Sequence, residues 1–385
     1  MRKLLGGSVV ALLLLTRTSH RDLGGQSVNR LQDSAATSVG RSAVLRSLRD
    51  ARPAFFALAA RNAYDLAVGP SGVIYVADGR WPRVIAVSLD GSIRWQANRR
   101  GIGPGELTFP YRIALSDRGD PLVLDIGAKN LLWFDQDGRM LRRTNLGMTF
   151  ATVSDVAVLQ HDDVIVAGIT DDPRGAGKAL HVFTKELSWV RSMAALPKLA
   201  PEILQLWGVG SITRASLNTV YYAPKFRGGI SEISVSGRVM RRIAVDDRDL
   251  TDPTGYFKVT GSAATGSRVA TGDSLVAPGQ VLPLAQGRVL TTKILGRRFR
   301  LTEYDAAGAV VGTLEIGQDD PMPFAFDSIS CRLFVRGRHK EGLALGLIPI
   351  RPVPSARAIT SNGESSYAKT AYAIGCRAAV GNSPT

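Results

Sequence analysis

Two copies of one unit stand head to tail between Leu66 and Arg142. Laying Leu66-Ala67-Val68 over Ile113-Ala114-Leu115 sets an offset of 113 − 66 = 47 residues. The offset then holds without a gap through Gly72 over Gly119, Tyr75-Val76 over Leu122-Val123 and Asp78 over Asp125. It continues through Val84-Ile85 over Leu131-Leu132 and closes with Asp90-Gly91 over Asp137-Gly138. A repeat of this period constrains the fold more than any other feature. Each unit is too small to bury its own apolar face and must stack on its neighbours.

In the first copy, short apolar runs at residues 66–68, 73–77, 83–87 and 92–95 are separated by Gly69-Pro70-Ser71-Gly72, by Asp78-Gly79-Arg80-Trp81-Pro82 and by Leu89-Asp90-Gly91. Runs rich in β-branched and aromatic residues, bounded by Gly, Pro and Asp, read as strands. Asp-Gly between two such runs is a hairpin signal, because Gly tolerates positive φ. Four antiparallel strands in about 40–50 residues make a propeller blade. Weaker units follow at residues 156–183, 208–245, 281–316 and 326–350. The expected fold is therefore all-β: a six-bladed β-propeller with four-stranded antiparallel blades over residues 52–352. Residues 53–59 (PAFFALA) are expected to close the ring by pairing with the last blade. Residues 246–279 break the pattern, with strand character only at 257–260 and 268–271.

The order Gly103-Pro104-Gly105-Glu106, Pro110, an apolar run, Asp117-Arg118-Gly119, Leu122-Val123, Asp125, Leu131-Leu132-Trp133-Phe134, Asp137-Gly138 resembles the six-bladed propellers of the NHL-repeat type, over residues 64–145. The resemblance implies that the Gly-Pro-Gly-Glu loop carries the chain from one blade's outer strand to the next blade's inner strand, with Glu106 accepting backbone N–H bonds. It also brings in relatives with activities. Calcium-dependent lactonases and a zinc-dependent peptidylglycine lyase place acidic or histidine ligands on inner strands at the channel mouth. Some NHL relatives bind RNA through a basic face.

Outside the ring, a basic start and the apolar run 4–15 read as a signal peptide over residues 1–20, with an uncleaved anchor as the alternative. Residues 21–51 are polar and read as a linker with a short helix at 42–50, and residues 353–385 as a C-terminal extension. Export makes the two cysteines, Cys331 and Cys376, a disulfide pair in expectation. The formal charge of +15 comes without any run of five basic residues, so it reads as a solvated basic surface.

Motifs for chemistry are absent. The four histidines show neither His-Glu-x-x-His nor an i, i+4 pair, and His181 reads as a strand histidine with satisfied hydrogen bonds. Gly175-Ala176-Gly177-Lys178 lacks the phosphate-loop spacing, with Ala179 where Ser or Thr would bind Mg²⁺. Asp135-Gln136-Asp137-Gly138 falls on a hairpin turn, and Leu146 stands where a calcium loop needs its bidentate Glu. Asp78 and Asp125 recur at the end of a second strand, as turn-stabilising acceptors would. The inner strands, read as Leu66-Ala67-Val68, Ile113-Ala114-Leu115 and Val156-Ala157-Val158, carry no ligands.

The sequence thus points to an exported, non-enzymatic, monomeric scaffold that needs no cofactor and no metal. Its partner would be a protein, peptide or glycan rather than a nucleic acid, held on the loops between second and third strands. There Arg80, Trp81, Lys129, Lys225, Phe226 and Arg227 mix aromatic and basic character suited to interface anchors. A metal-dependent propeller enzyme of the lactonase or lyase kind is the alternative.

Overall fold

The structure, a computed structural model, describes residues 39–350 except 40–41, 52, 54, 59, 61–62, 80, 147, 199–202, 205–207, 226–228, 246–256, 261–267, 272–275, 328–329 and 340–341. The expected signal peptide and C-terminal extension lie outside these residues, as does most of the linker.

Six four-stranded antiparallel sheets follow one another as six blades. Blade 1 is Ala63–Val68, Ile74–Asp78, Arg83–Val87 and Ile93–Ala97. Blade 2 is Pro110–Leu115, Pro121–Asp125, Asn130–Phe134 and Met140–Asn145. Blade 3 is Phe150–Val158, Val164–Thr170, Lys178–Phe183 and Trp189–Ala195. Blade 4 is Gly210–Arg214, Thr219–Pro224, Ile230–Ser234 and Val239–Ile243. Blade 5 is Val276–Pro283, Val289–Leu295, Arg298–Tyr304 and Val310–Gly317. Blade 6 takes three strands from the end of the ring, Met322–Asp327, Arg332–His339 and Gly342–Pro349, and its outer strand, Phe55–Leu58, from the beginning. The register Phe55↔Gly346 to Leu58↔Leu343 closes the circle at the segment expected to do so.

The first strand of each blade touches the first strands of both neighbours, so these six strands line the central axis. The apolar core is divided accordingly into six clusters, one between each pair of successive blades. Between blades 1 and 2, for instance, Tyr75, Ala77 and Val84 meet Ile113, Val123 and Leu132. The alternation of each strand thus buries both faces of every inner sheet, which explains unbroken apolar runs such as Leu131-Leu132-Trp133-Phe134.

The 47-residue offset survives as geometry. Gly91 and Gly138, one offset apart, sit in hairpin turns at φ +87° and +86°. A Cβ at Gly138 would meet the Trp95 ring at 2.5 Å. The Trp95 indole N–H in turn donates to the Gln136 carbonyl at 2.8 Å, so this turn is also a blade–blade contact. Glu106 Oε2 accepts from the Gly103 N–H at 2.8 Å, as the linker loop implied. Asp125 accepts from the N–H groups of Thr108 (2.6 Å), Phe109 (2.8 Å) and Ala128 (3.2 Å), which is the turn-stabilising role expected of it. Asp135 accepts from the N–H groups of Asp137 and Arg139, a hairpin turn rather than an ion loop.

Two places depart from the simple repeat. Phe257–Thr260 pairs with Arg268–Thr271 as a two-stranded hairpin between blades 4 and 5, in the region without periodicity. The short helix is real: Ala43–Asp50, capped by the Ser42 hydroxyl accepting from the Leu45 N–H at 2.8 Å. It is not part of a solvated linker. Ala43, Val44, Leu45 and Leu48 are buried with Leu290, Leu301, Leu314, Leu333 and Ile348, so the helix wedges into the seam between blades 5 and 6. Ser42 donates to Glu303, whose other oxygen takes Arg288.

Two substitutions test this packing. Leu45→Ala empties a fully buried position and should lower stability by about 2–5 kcal/mol in urea unfolding. Gly138→Ala combines positive φ with contact against Trp95 and should cost more than about 1 kcal/mol. A loss within error for either would sink that account.

Candidate functional site

The inner strands begin earlier than the apolar pattern suggested, and the added residues are charged. A one-residue register shift interrupts the inner strands of blades 1, 2 and 3 between Ala63 and Asp65, Pro110 and Arg112, and Val153 and Asp155, and that of blade 6 between Pro323 and Ala325. A β-bulge leaves one residue unpaired and re-aims the side chains beside it. After the bulge, Asp65, Arg112 and Asp155 occupy one level, opposite Ala77, Leu124 and Ala167 of the second strands. Three successive blades therefore present acid, base and acid around the axis.

Arg112 holds the centre. Its Nε lies 3.4 Å from Asp155 Oδ1, and its guanidinium stacks on the Tyr111 ring at 4.0 Å. Its Nη1 donates to the carbonyls of Tyr64 and Tyr111 at 3.4 and 3.3 Å, and its Nη2 to the Tyr111 hydroxyl at 3.2 Å. Both aspartates reach across to the following blade. Asp65 Oδ2 accepts from the Ile113 N–H at 2.9 Å, and Asp155 Oδ2 from the Ile212 N–H at 3.0 Å. Asp155 Oδ1 also accepts from the Val156 N–H at 2.9 Å.

Two further cations belong to this group. Lys225 follows the second strand of blade 4, and Arg336 lies on the second strand of blade 6. Burial pushes the Lys225 ammonium down to about 8, with repulsion from Arg112 adding to it. Burial also lowers Arg336, against the pull of Asp65. Burial raises Asp65 and takes Asp155 up to about 6, with Arg112 opposing both shifts. Burial works against the Arg112 charge, but Tyr111, Asp155 and Asp65 outweigh it and raise its pKa. Tyr111, Arg112, Ser154, Ser211, Lys225 and Gly279 line a small cavity of about 80 Å³ here.

The starts of first strands and the ends of second strands share one face, so the cavity opens on the side of the loops between second and third strands. A larger cleft of about 530 Å³ lies on the same side between blades 2 and 3, with Lys129, Asn145, Met148, Phe150, Asp172 and Arg174 among its walls. Arg174 stacks over Trp189 at 5.2 Å and pairs with Asp172.

The residues singled out in the sequence divide three ways. Trp81, 64% exposed, and Lys129 lie on loops between second and third strands, on this face. Lys225 is half-buried in the cavity beside Arg112 rather than out on a rim. Arg80, Phe226 and Arg227 lie outside the described residues. Cys331 is disulfide-bonded; Cys376, the partner expected for it, lies outside the described residues. His181 is fully buried, its Nδ1 at 2.8 Å from the Ser192 hydroxyl and its Nε2 at 3.2 Å from the Gly168 carbonyl, so it is a satisfied strand histidine.

Asp65, Arg112 and Asp155 lie just before the first apolar residue of each inner strand, where an apolar run gives no sign that the strand has begun. The signal was present. The 47-residue offset that aligns Leu66 with Ile113 also aligns Asp65 with Arg112, and Asp155 precedes Val156 in the same way.

No protein-family model matches the sequence, and comparison with curated proteins finds no match. Solved structures do match in fold. A Bacteroides fragilis protein whose name marks it as a candidate for export is 10% identical, over 78% of this chain and 95% of that one, at a TM-score of 0.53. A member of the duf4221 family from Bacteroides vulgatus is 9% identical, over 77% and 96%, at 0.51. Virginiamycin B lyase from Staphylococcus aureus is 12% identical, over 78% and 99%, at 0.49, too low to carry an argument. At such identities the likeness shows the architecture alone: this is a six-bladed β-propeller.

The raised Asp155 gives a pH test. The folded protein holds a proton there that the unfolded chain has released between about pH 4 and 6, so stability falls as pH rises through that window. At about 1.4 kcal/mol per unit the effect is on the order of 3 kcal/mol at most. Asp155→Asn should flatten that slope in urea unfolding measured from pH 4 to 8. An unchanged slope would assign it elsewhere.

Proposed function

We propose that this chain is an exported, non-enzymatic propeller that holds a protein, peptide or glycan partner on the face carrying the loops between second and third strands. One observation carries the reading. On that face the charged cavity at the axis, the cleft between blades 2 and 3 and the exposed Trp81 stand together, while the two aspartates are committed to backbone N–H groups of the next blade. Carboxylates bonded in that way tie blades together, leaving a rigid platform whose loops do the recognising. Trp and Arg are the side chains that most often anchor interfaces. Export, and assignment to the NHL-repeat type, belong to this proposal on the strength of the sequence.

The metal-dependent lactonase or lyase reading gains one point from the structure, since Asp65 and Asp155 are acids on inner strands. The donor set does not fit a divalent ion. The Arg112 guanidinium stands at Asp155 and within the field of Asp65, where the metal's charge would have to go. A hard cation such as Ca²⁺ needs six to eight oxygen ligands.

The test is a peptide and glycan array probed with the labelled protein and with a Trp81→Ala/Lys129→Ala double variant. Both side chains are exposed, so melting should not change. Binding should fall tenfold or more. A variant that binds every hit as the parent does would overturn the assignment of this face.

A further inference from the structure

Resting on that reading of the face, we propose that the cleft between blades 2 and 3 is a peptide site, which takes an extended segment whose carboxylates flank an apolar side chain. Three observations lead there. The first is the pair of walls. Lys129, on the loop between second and third strands of blade 2, and Arg174, on the same loop of blade 3, line one cleft of about 530 Å³, and both are exposed. The Lys129 ammonium has no ion pair or hydrogen bond among the described residues. Its loop is tied down by the Ala128 N–H donating to Asp125 at 3.2 Å, with Lys129 itself at φ +54°. A non-glycine residue seldom takes that conformation unless its surroundings impose it.

The second is the state of the one acid. Asp172 is the sole carboxylate among the described residues of the lining, and it is committed to Arg174. It accepts from the Arg174 backbone N–H at 2.9 Å, from Nε at 2.9 Å and from Nη2 at 2.5 Å, which holds its pKa down to about 2. The guanidinium also lies over the Trp189 ring at 5.2 Å. Arg174 is thus fixed in place, while its Nη1 keeps both N–H groups for an acceptor from outside, among the described residues. A planar, pre-oriented fork suits a carboxylate. A cation entering here would meet Lys129 and Arg174 with no acid left to hold it.

The third is the rest of the lining. Much of it is apolar: Leu146, Met148 and Phe150, the last two buried. A sugar ring would set hydroxyls against these side chains without partners, at a cost, whereas an apolar side chain gains from burial there. At about 30 Å³ per water, the cleft holds on the order of 18 non-hydrogen atoms. That is enough for one aliphatic or aromatic side chain with a carboxylate on either side, and too little for a folded element.

Fluorescence anisotropy of the full chain with the labelled pentapeptide AEFEA tests this against two controls, AQFQA and AESEA. AEFEA should bind at least tenfold more tightly than either. Lys129→Gln/Arg174→Gln should erase the preference over AQFQA, and Lys129→Arg/Arg174→Lys should keep it, with melting unchanged in both. Equal binding of AEFEA and AQFQA would overturn the proposal, as would a preference that survives in Lys129→Gln/Arg174→Gln. AESEA binding as AEFEA does would overturn it too, and so would a galacturonic acid trimer that binds more tightly than AEFEA. Any of those results leaves the face assignment standing if the Trp81→Ala/Lys129→Ala variant still loses binding to the array hits; the face assignment falls only when that variant binds them as the parent does.

Discussion

Everything in this molecule depends on one pairing made across nearly the whole chain, Phe55–Leu58 against Gly342–Pro349. The six apolar clusters are interfaces between blades, and a ring of six blades has six interfaces only when it is closed. Left open, blades 1 and 6 would each present an apolar sheet face to water, and blade 6 would show a free strand edge. The entropic cost of bringing such distant segments together grows only slowly with the length between them, so closure is cheap beside the burial it completes. The N-terminal segment secures the same region a second time. Its helix fills the seam between blades 5 and 6, and Ser42 meets the buried Glu303.

Closure also makes the site. No single blade holds it: Asp65 comes from blade 1, Arg112 from blade 2, Asp155 from blade 3, Lys225 from blade 4 and Arg336 from blade 6. Arg112 acts on the pKa of the other four because the ring brings them to one axis, and burial away from bulk water shifts each of those four first. The repeated bulge is what sets them at one level. It shifts the register of the inner strands that carry Asp65, Arg112 and Asp155 by one residue, enough to re-aim a position the simple alternation would place elsewhere.

Such a cluster reinforces the ring. Asp65 and Asp155 join the inner strand of one blade to that of the next through backbone N–H bonds, a local reinforcement of the ring. Sites that combine burial, opposing charges and a cavity are where binding chemistry concentrates.

The sequence by itself determined the architecture. The 47-residue offset, the Asp-Gly turns and the apolar runs name the blade, and residues 53–59 could be assigned to closure because a propeller must close its ring and this apolar run precedes the first blade. Local rules suffice for this, since turn residues and two-residue alternation are properties of neighbours in the chain. The helix at Ala43–Asp50 could be seen but not its place, since a seam between blades 5 and 6 has no mark in the residues that fill it. The cavity was beyond the sequence for the same reason. Asp65, Arg112 and Asp155 were aligned by the offset, but only the closed ring turns equal positions in three repeats into neighbours around an axis. It alone brings Lys225, some 110 residues from Arg112, against that guanidinium, because proximity across blades is decided by packing and not by separation along the chain.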